Sequence, residues 1–243
     1  MSIDELRHDT VAAPPIKRRH NGAGNESDTP PIGQTGRDLL ECAMPAISFN
    51  CEPWIPEGLG ITAGRPKLGK STFVRQKLAA VASGGELFGA QCTTARCAFL
   101  TLEENARQTR HKLQLAAFPN EALARILFFF EWFRGTAGVV QLRQFLDHNP
   151  DVKYVAIDSL TRFRSVPDQR TPAFSADYEA VTALQGLCKD RPGLTVECIH
   201  HTRKAKGDDP LEDISGTFGL SAACDWYSVM RHHEDGAVLH VGG

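Results

Sequence analysis

No run of about 18 apolar residues occurs anywhere in the 243 residues of this chain, so a membrane-spanning helix is not expected. The opening decapeptide MSIDELRHDT has neither an apolar centre nor a small-residue cleavage site, which excludes a secretory leader there and points to the cytoplasm. Zinc-type pairing is missing too. The seven cysteines (Cys42, Cys51, Cys92, Cys97, Cys188, Cys198 and Cys224) contain no CxxC, and their odd number argues against a closed disulfide framework. They are expected to be reduced and mainly buried as small apolar side chains. Charge of one sign is lacking as well: 27 Lys and Arg face 29 Asp and Glu, a net charge of −2. A globally basic surface is thereby excluded, and any nucleic acid must meet a local patch or a ring built from several subunits. No internal repeat is visible.

What remains is a globular composition, 42% hydrophobic and 23% charged, long enough for one α/β domain and a tail. Residues 1 to 34 are rich in Pro, Gly, Asn, Asp and Ser, with Lys17-Arg18-Arg19-His20 as the basic cluster, and are expected to be disordered. The domain is expected over 35–243. Thr35 followed by Asp38 spells an N-cap with an acid three residues on, opening a short helix through Cys42. Strands are predicted at 59–63, 97–102, 125–133, 153–160 and 194–199, with a final pair at 226–231 and 237–241 around Glu234-Asp235-Gly236. Helical spacing falls between them at 72–82, 105–117, 139–147 and 174–189. Such alternation means a mostly parallel α/β sheet, closed here by a C-terminal antiparallel pair.

Residues 64–71 read Gly64-Arg65-Pro66-Lys67-Leu68-Gly69-Lys70-Ser71, the complete GxxxxGK[ST] pattern. It follows an apolar strand and opens a helix beginning with Thr72, which is the context that phosphate binding needs. Gly64 and Gly69 allow backbone angles that turn successive N–H groups onto a phosphate at a helix N-terminus. Lys70 reaches the β- and γ-phosphates and the Ser71 hydroxyl meets Mg²⁺, so ATP and Mg²⁺ are the expected ligands.

Ligands of open α/β sheets bind at the carboxyl ends of the strands, and three further strand ends carry reactive groups. Asp158 closes an apolar strand, where a carboxylate holds Mg²⁺ directly or through water. Glu103 is placed to take a proton from the attacking water, with Glu104 as the adjacent alternative. Successive strand residues face opposite ways, so at most one of His200 and His201 meets the nucleotide.

The GRPKLGKS loop, Leu102-Glu103-Glu104, the Ile157-Asp158-Ser159-Leu160 run, His200-His201-Thr202-Arg203-Lys204-Ala205 and the later DDPLEDISGTFGLSAACD together resemble the RepA-like group of RecA-type ATPases. That group includes hexameric replicative helicases of plasmids and phages, and the resemblance covers roughly residues 35–241. It implies a RecA-like P-loop NTPase fold, Glu103 as catalytic base, Asp158 as Walker B acid and His201 as γ-phosphate sensor, with His200 still open. It also implies a homo-oligomeric ring, with segments 162–177 and 202–219 lining its channel and Arg203, Lys204 and Lys206 touching single-stranded DNA. Relatives carry a cation beyond the last strand that reaches the neighbour's γ-phosphate. This chain stops at Gly243, so Arg231 or Arg203 would have to substitute, or the chain is a fragment. That departure leaves an alternative reading, a nucleotide-dependent DNA-binding or regulatory module with weak or no hydrolysis.

Overall fold

The computed structural model describes residues 33–167, 173–202, 220, 223–234 and 236–243. The chain divides into two units, Met1–Pro45 and Ala46–Gly243. In the first unit, α1 (Gly36–Glu41) opens with the reciprocal cap that its sequence predicts: Asp38 N donates to Thr35 Oγ1 at 3.2 Å and Thr35 N to Asp38 Oδ2 at 3.1 Å. None of its residues is buried. The segment expected to be disordered lies outside the described residues except for its last two.

The second unit begins with an antiparallel pair, β1 (Phe49–Cys51) and β2 (Ile55–Pro56), turning through a cis Glu52–Pro53 bond. A second small pair, β4 (Glu86–Leu87) and β5 (Ala90–Gln91), follows the P-loop helix. Neither pair is legible in the sequence, because strands of two or three residues leave no alternation to read.

The main sheet is built from β3 (Gly58–Gly64), β6 (Arg96–Thr101), β7 (Ile126–Phe129), β8 (Val152–Asp158), β9 (Thr195–His201), β10 (Trp226–His233) and β11 (Gly236–Gly242). Its order is β11-β10-β3-β9-β8-β6-β7, parallel throughout except for β10 with β11. This is the RecA-like arrangement expected, including the terminal antiparallel pair. The strands read as nearly continuous apolar runs because both faces are covered. Val155 and Ile157 pack toward α5 (Gly135–His148) and α7 (Ala173–Lys189), beside Leu142, Leu146, Val181 and Leu184. Tyr154 and Ala156 face α2 (Lys70–Ser83), beside Val74, Leu78 and Val81.

Helix α2 ends where Gly84 turns left-handed at φ 66°, which a residue with a Cβ adopts only at a cost. Helix α3 (Ala106–Ala116) is capped by Asn105, whose side chain accepts from Gln108 N. Strand β7 is shorter than the predicted 125–133: Trp132 leaves the sheet line to pack edge-on against Phe129, and its indole N–H donates to Gly138 O at 3.0 Å. Two short helices, α4 (Asn120–Leu123) and α6 (Leu160–Phe163), complete the described elements. Among the described residues, no helix is long and apolar enough to cross a membrane. Five of the seven cysteines are buried; Cys42 is exposed and Cys224 intermediate.

Candidate functional site

Parallel register brings the strand ends level. Gly64 lies opposite His201, Thr101 opposite Asp158, and Asp158 opposite Ile199. The carboxyl ends of β3, β6, β8 and β9 therefore meet at one edge of the sheet, around a cavity of about 360 Å³. Lys67, Gly69, Lys70, Ser71, Thr72, Glu103, Glu104, Lys112, Asp158 and His201 line it. Larger cavities exist elsewhere, of about 470 and 590 Å³, but aromatic, aliphatic and proline side chains predominate in their walls. The polar lining distinguishes the strand-end cavity.

Gly69 stands at φ 96°, and this left-handed residue turns the loop into the first turn of α2. Lys70 follows with its ammonium held by three acceptors: Gly64 O and Arg65 O at 2.8 Å each, and His201 Nδ1 at 3.2 Å. Burial pushes the Lys70 ammonium below its usual range, while the charges of Asp158 and Glu103 oppose that shift. An ammonium only donates, so Nδ1 of His201 accepts and the proton of the neutral imidazole sits on Nε2. That Nε2 is 3.8 Å from Glu103 Oε2.

Asp158 is 3% exposed, and burial pushes its carboxyl above the ordinary range. A hydrogen bond with the Ser71 side chain pulls the other way, and the nearby Glu103 and Glu104 charges add to the rise. The peptide joining Asp158 to Ser159 is cis. Ser71 and Asp158 thus place a hydroxyl and a carboxylate side by side in the cavity wall, an oxygen pair that suits a hard divalent cation sharing phosphate oxygens. Among the described residues no group of three or more His, Cys, Asp or Glu could hold a metal alone. A site of one carboxylate and one hydroxyl fits Mg²⁺, which keeps waters and takes the rest of its ligands from phosphate.

The two adjacent glutamates have different surroundings. Burial would raise Glu104, yet hydrogen bonds from Lys112 and Arg75, together with their charges, hold it below the usual carboxylate range. Arg75 Nη2 donates to Glu104 Oε2 at 2.7 Å, Lys112 Nζ donates to Oε1, and Thr109 Oγ1 donates to Oε2 at 3.3 Å. Arg75 is itself buried, with its guanidinium 5.3 Å from the Phe99 ring centre. Glu103 instead receives one hydroxyl, from Ser159, and is about a third exposed at the cavity.

The two histidines diverge as strand geometry requires. His201 meets Lys70, whereas His200 turns into the protein, where its Nδ1 has no hydrogen-bond partner among the described residues. Burial, with His201, Arg164 and Lys70 close by, pushes His200 down to about 4.

Of the sequence-derived site residues, Lys67, Gly69, Lys70, Ser71, Thr72, Glu103, Asp158 and His201 come together. Gly64 and Arg65 contribute through their carbonyls, and Pro66 and Leu68 belong to the same turn without lining the cavity. Arg203, Lys204 and Lys206 lie outside the described residues. Sequence reasoning missed Lys112 and Ser159. Lys112 looks like one more basic residue on an outer helix face, and only its reach back to Glu104 gives it a place here.

A family model described as an AAA domain matches residues 27–207. Among solved structures, a KaiC-like protein from the hyperthermophilic archaeon Pyrococcus horikoshii OT3 is similar, with a TM-score of 0.52 and 17% identity. The alignment covers 79% of this chain and 81% of that one, a likeness of fold. No curated protein matches the chain.

Proposed function

Because the chain belongs to the AAA domain family and has a RecA-type P-loop ATPase fold, we propose that it is a Mg²⁺-dependent ATPase whose hydrolytic site is the strand-end cavity. The observation that carries this reading is the convergence of Lys70, Ser71, Glu103, Asp158 and His201 on one polar wall. Lys70 and the loop N–H groups bind the β- and γ-phosphates, with His201 next to the Lys70 ammonium as the group that senses the γ-phosphate. Ser71 and Asp158 would hold Mg²⁺, which when bound would neutralise charge on the phosphate oxygens. Glu103 orients a water and accepts one of its protons. The water oxygen bonds to the γ-phosphorus as the bond to the bridging oxygen breaks, releasing ADP and inorganic phosphate.

The finer reading is a RepA-like replicative helicase or translocase: a ring, with six subunits expected, acting on single-stranded DNA through Arg203, Lys204 and Lys206. Its support lies in the sequence beside the site: Arg203 and Lys204 follow within three positions of His201, which closes β9 and lines the cavity, so His201 would join the nucleotide to the proposed DNA contacts. The test is the steady-state ATPase rate at low salt with and without single-stranded DNA, alongside solution mass with ATP and Mg²⁺. Stimulation by DNA and a hexameric mass are expected. An unchanged rate removes the translocase reading and leaves the ATPase. A wild-type rate no higher than that of Glu103→Gln favours the regulatory nucleotide-binding module instead.

A further inference from the structure

Strands β6 and β8 lie in parallel register, and Leu102 N donates to Asp158 O at 2.7 Å, so the segments leaving these strands start side by side. Ser159 occupies the N-cap of α6. Its carbonyl accepts from Arg162 N at 2.9 Å and Phe163 N at 3.0 Å, and the residue is wholly buried. A serine at this position ordinarily turns its hydroxyl oxygen to a free N–H of its own helix. Here the side chain makes no such cap bond and instead donates to Glu103 Oε1.

That diversion sets the orientation of a flexible side chain. Glu103 is about a third exposed, and the His201 ring nitrogen at 3.8 Å from Oε2 is too far for a hydrogen bond. The Ser159 hydroxyl is therefore the hydrogen bond the structure gives the Glu103 carboxylate, made to one oxygen from a pinned backbone. The other oxygen, Oε2, is left on the His201 side of the cavity.

We propose that Ser159 is a positioning residue: its hydroxyl fixes Glu103 so that Oε2 faces the attacking water. This rests on the reading of Glu103 as general base. A misplacement of about 1 Å at a reacting group can cost on the order of a hundredfold in rate. Ser159 touches no phosphate in this scheme, so its loss acts on the chemical step and spares nucleotide binding.

The experiment compares wild type, Ser159→Ala, Glu103→Gln and the double variant of the full chain, by single-turnover ATP hydrolysis and by fluorescence titration of a nucleotide analogue. Ser159→Ala is expected to slow hydrolysis by about tenfold to a hundredfold with the dissociation constant unchanged within about twofold. In the Glu103→Gln background the same change should have no further effect, because the hydroxyl then has no base to position. The proposal is overturned if Ser159→Ala hydrolyses at the wild-type rate, if it loses affinity in step with rate, or if it slows both backgrounds by the same factor. A Glu103→Gln protein as active as wild type overturns the base assignment along with it. An inert Glu103→Gln beside a fully active Ser159→Ala overturns only the role of Ser159.

Discussion

Lys77 of α2 and Glu197 of β9 form an ion pair inside the protein, their side chains 2% and 0% exposed. Glu197 also accepts from the hydroxyls of Thr62 on β3 and Tyr154 on β8. The Lys77 ammonium sits 4.8 Å from the Phe73 ring centre and 5.1 Å from that of Trp226. Each member lies a turn or two, or a few strand residues, behind a site residue: Thr62 before Gly64, Lys77 after Lys70, Tyr154 before Asp158 and Glu197 before His201. Four of the elements that deliver the cavity wall, β3, α2, β8 and β9, are thus tied together beneath it.

Removing one partner leaves the other as an uncompensated buried charge. Glu197→Ala should destabilise the protein by about 3–5 kcal/mol in urea denaturation. The double change Lys77→Met with Glu197→Gln, which removes both charges, should cost less than the single one. A double variant no more stable than Glu197→Ala would show that the pair's charge is not what the fold depends on.

The two adjacent glutamates should separate cleanly. Glu103→Gln is expected to lower single-turnover hydrolysis by about 10²- to 10⁴-fold with little change in melting temperature. Glu104→Gln should do the reverse, weakening the bonds from Arg75 and Lys112 at a cost of about 1–3 kcal/mol while hydrolysis stays within a few fold. Equal kinetic losses would contradict the assignment.

His200 should make the protein sensitive to mild acid. Below pH 6.5 the unfolded chain protonates this imidazole, while the folded protein, with His201, Arg164 and Lys70 nearby, resists until about 4. The site therefore costs stability progressively as the pH falls from 6.5 to about 4, reaching about 3 kcal/mol, and costs nothing more below that. His200→Leu should flatten the melting temperature across that window relative to wild type. Parallel curves would mean that other groups dominate.

Gly60 should not tolerate a side chain. A Cβ there would stand 2.1 Å from Cζ2 and 2.2 Å from Cε2 of Trp226, a ring already packed against the Lys77 ammonium. Gly60→Ala is expected to cost about 1–3 kcal/mol or more. Gly186→Ala, in α7 with open space around the added carbon, should be neutral or stabilising by up to about 1 kcal/mol. Differential scanning calorimetry of the two variants makes the comparison.

Much of this is legible in the residues. The P-loop has a pattern because phosphate binding constrains consecutive positions, and Asp158 and the pair His200-His201 stand out because an apolar strand announces where its end must be. Parallel strands then do the alignment, since their carboxyl ends share one edge. What cannot be read is contact between distant side chains. Glu197 looks like a polar interruption in LTVECI, and nothing nearby in sequence shows that Lys77, Thr62 and Tyr154 converge on it. Ser159 falls within the strand predicted at 153–160, and nothing near it in sequence shows that its hydroxyl meets a carboxylate 56 positions away. The choice between Glu103 and Glu104 likewise depends on Arg75 and Lys112, which only the folded chain brings to Glu104.

The strand order has a consequence for the newborn chain. The P-loop strand β3 is flanked on both sides by strands that come much later, β9 and β10. About 140 residues separate Gly64 from His201, so at typical elongation rates β3 waits about 7 to 28 seconds before its first neighbouring strand has been made. During synthesis its apolar residues Leu59, Ile61 and Ala63 lack the partners that bury them in the finished protein. Pairing β3 with late strands is also slow, because distant segments must be brought together before any contact rewards the closure. The strand that carries the P-loop thus takes its place in the sheet only once β9 has been made, although it is among the first parts of the domain to be synthesised.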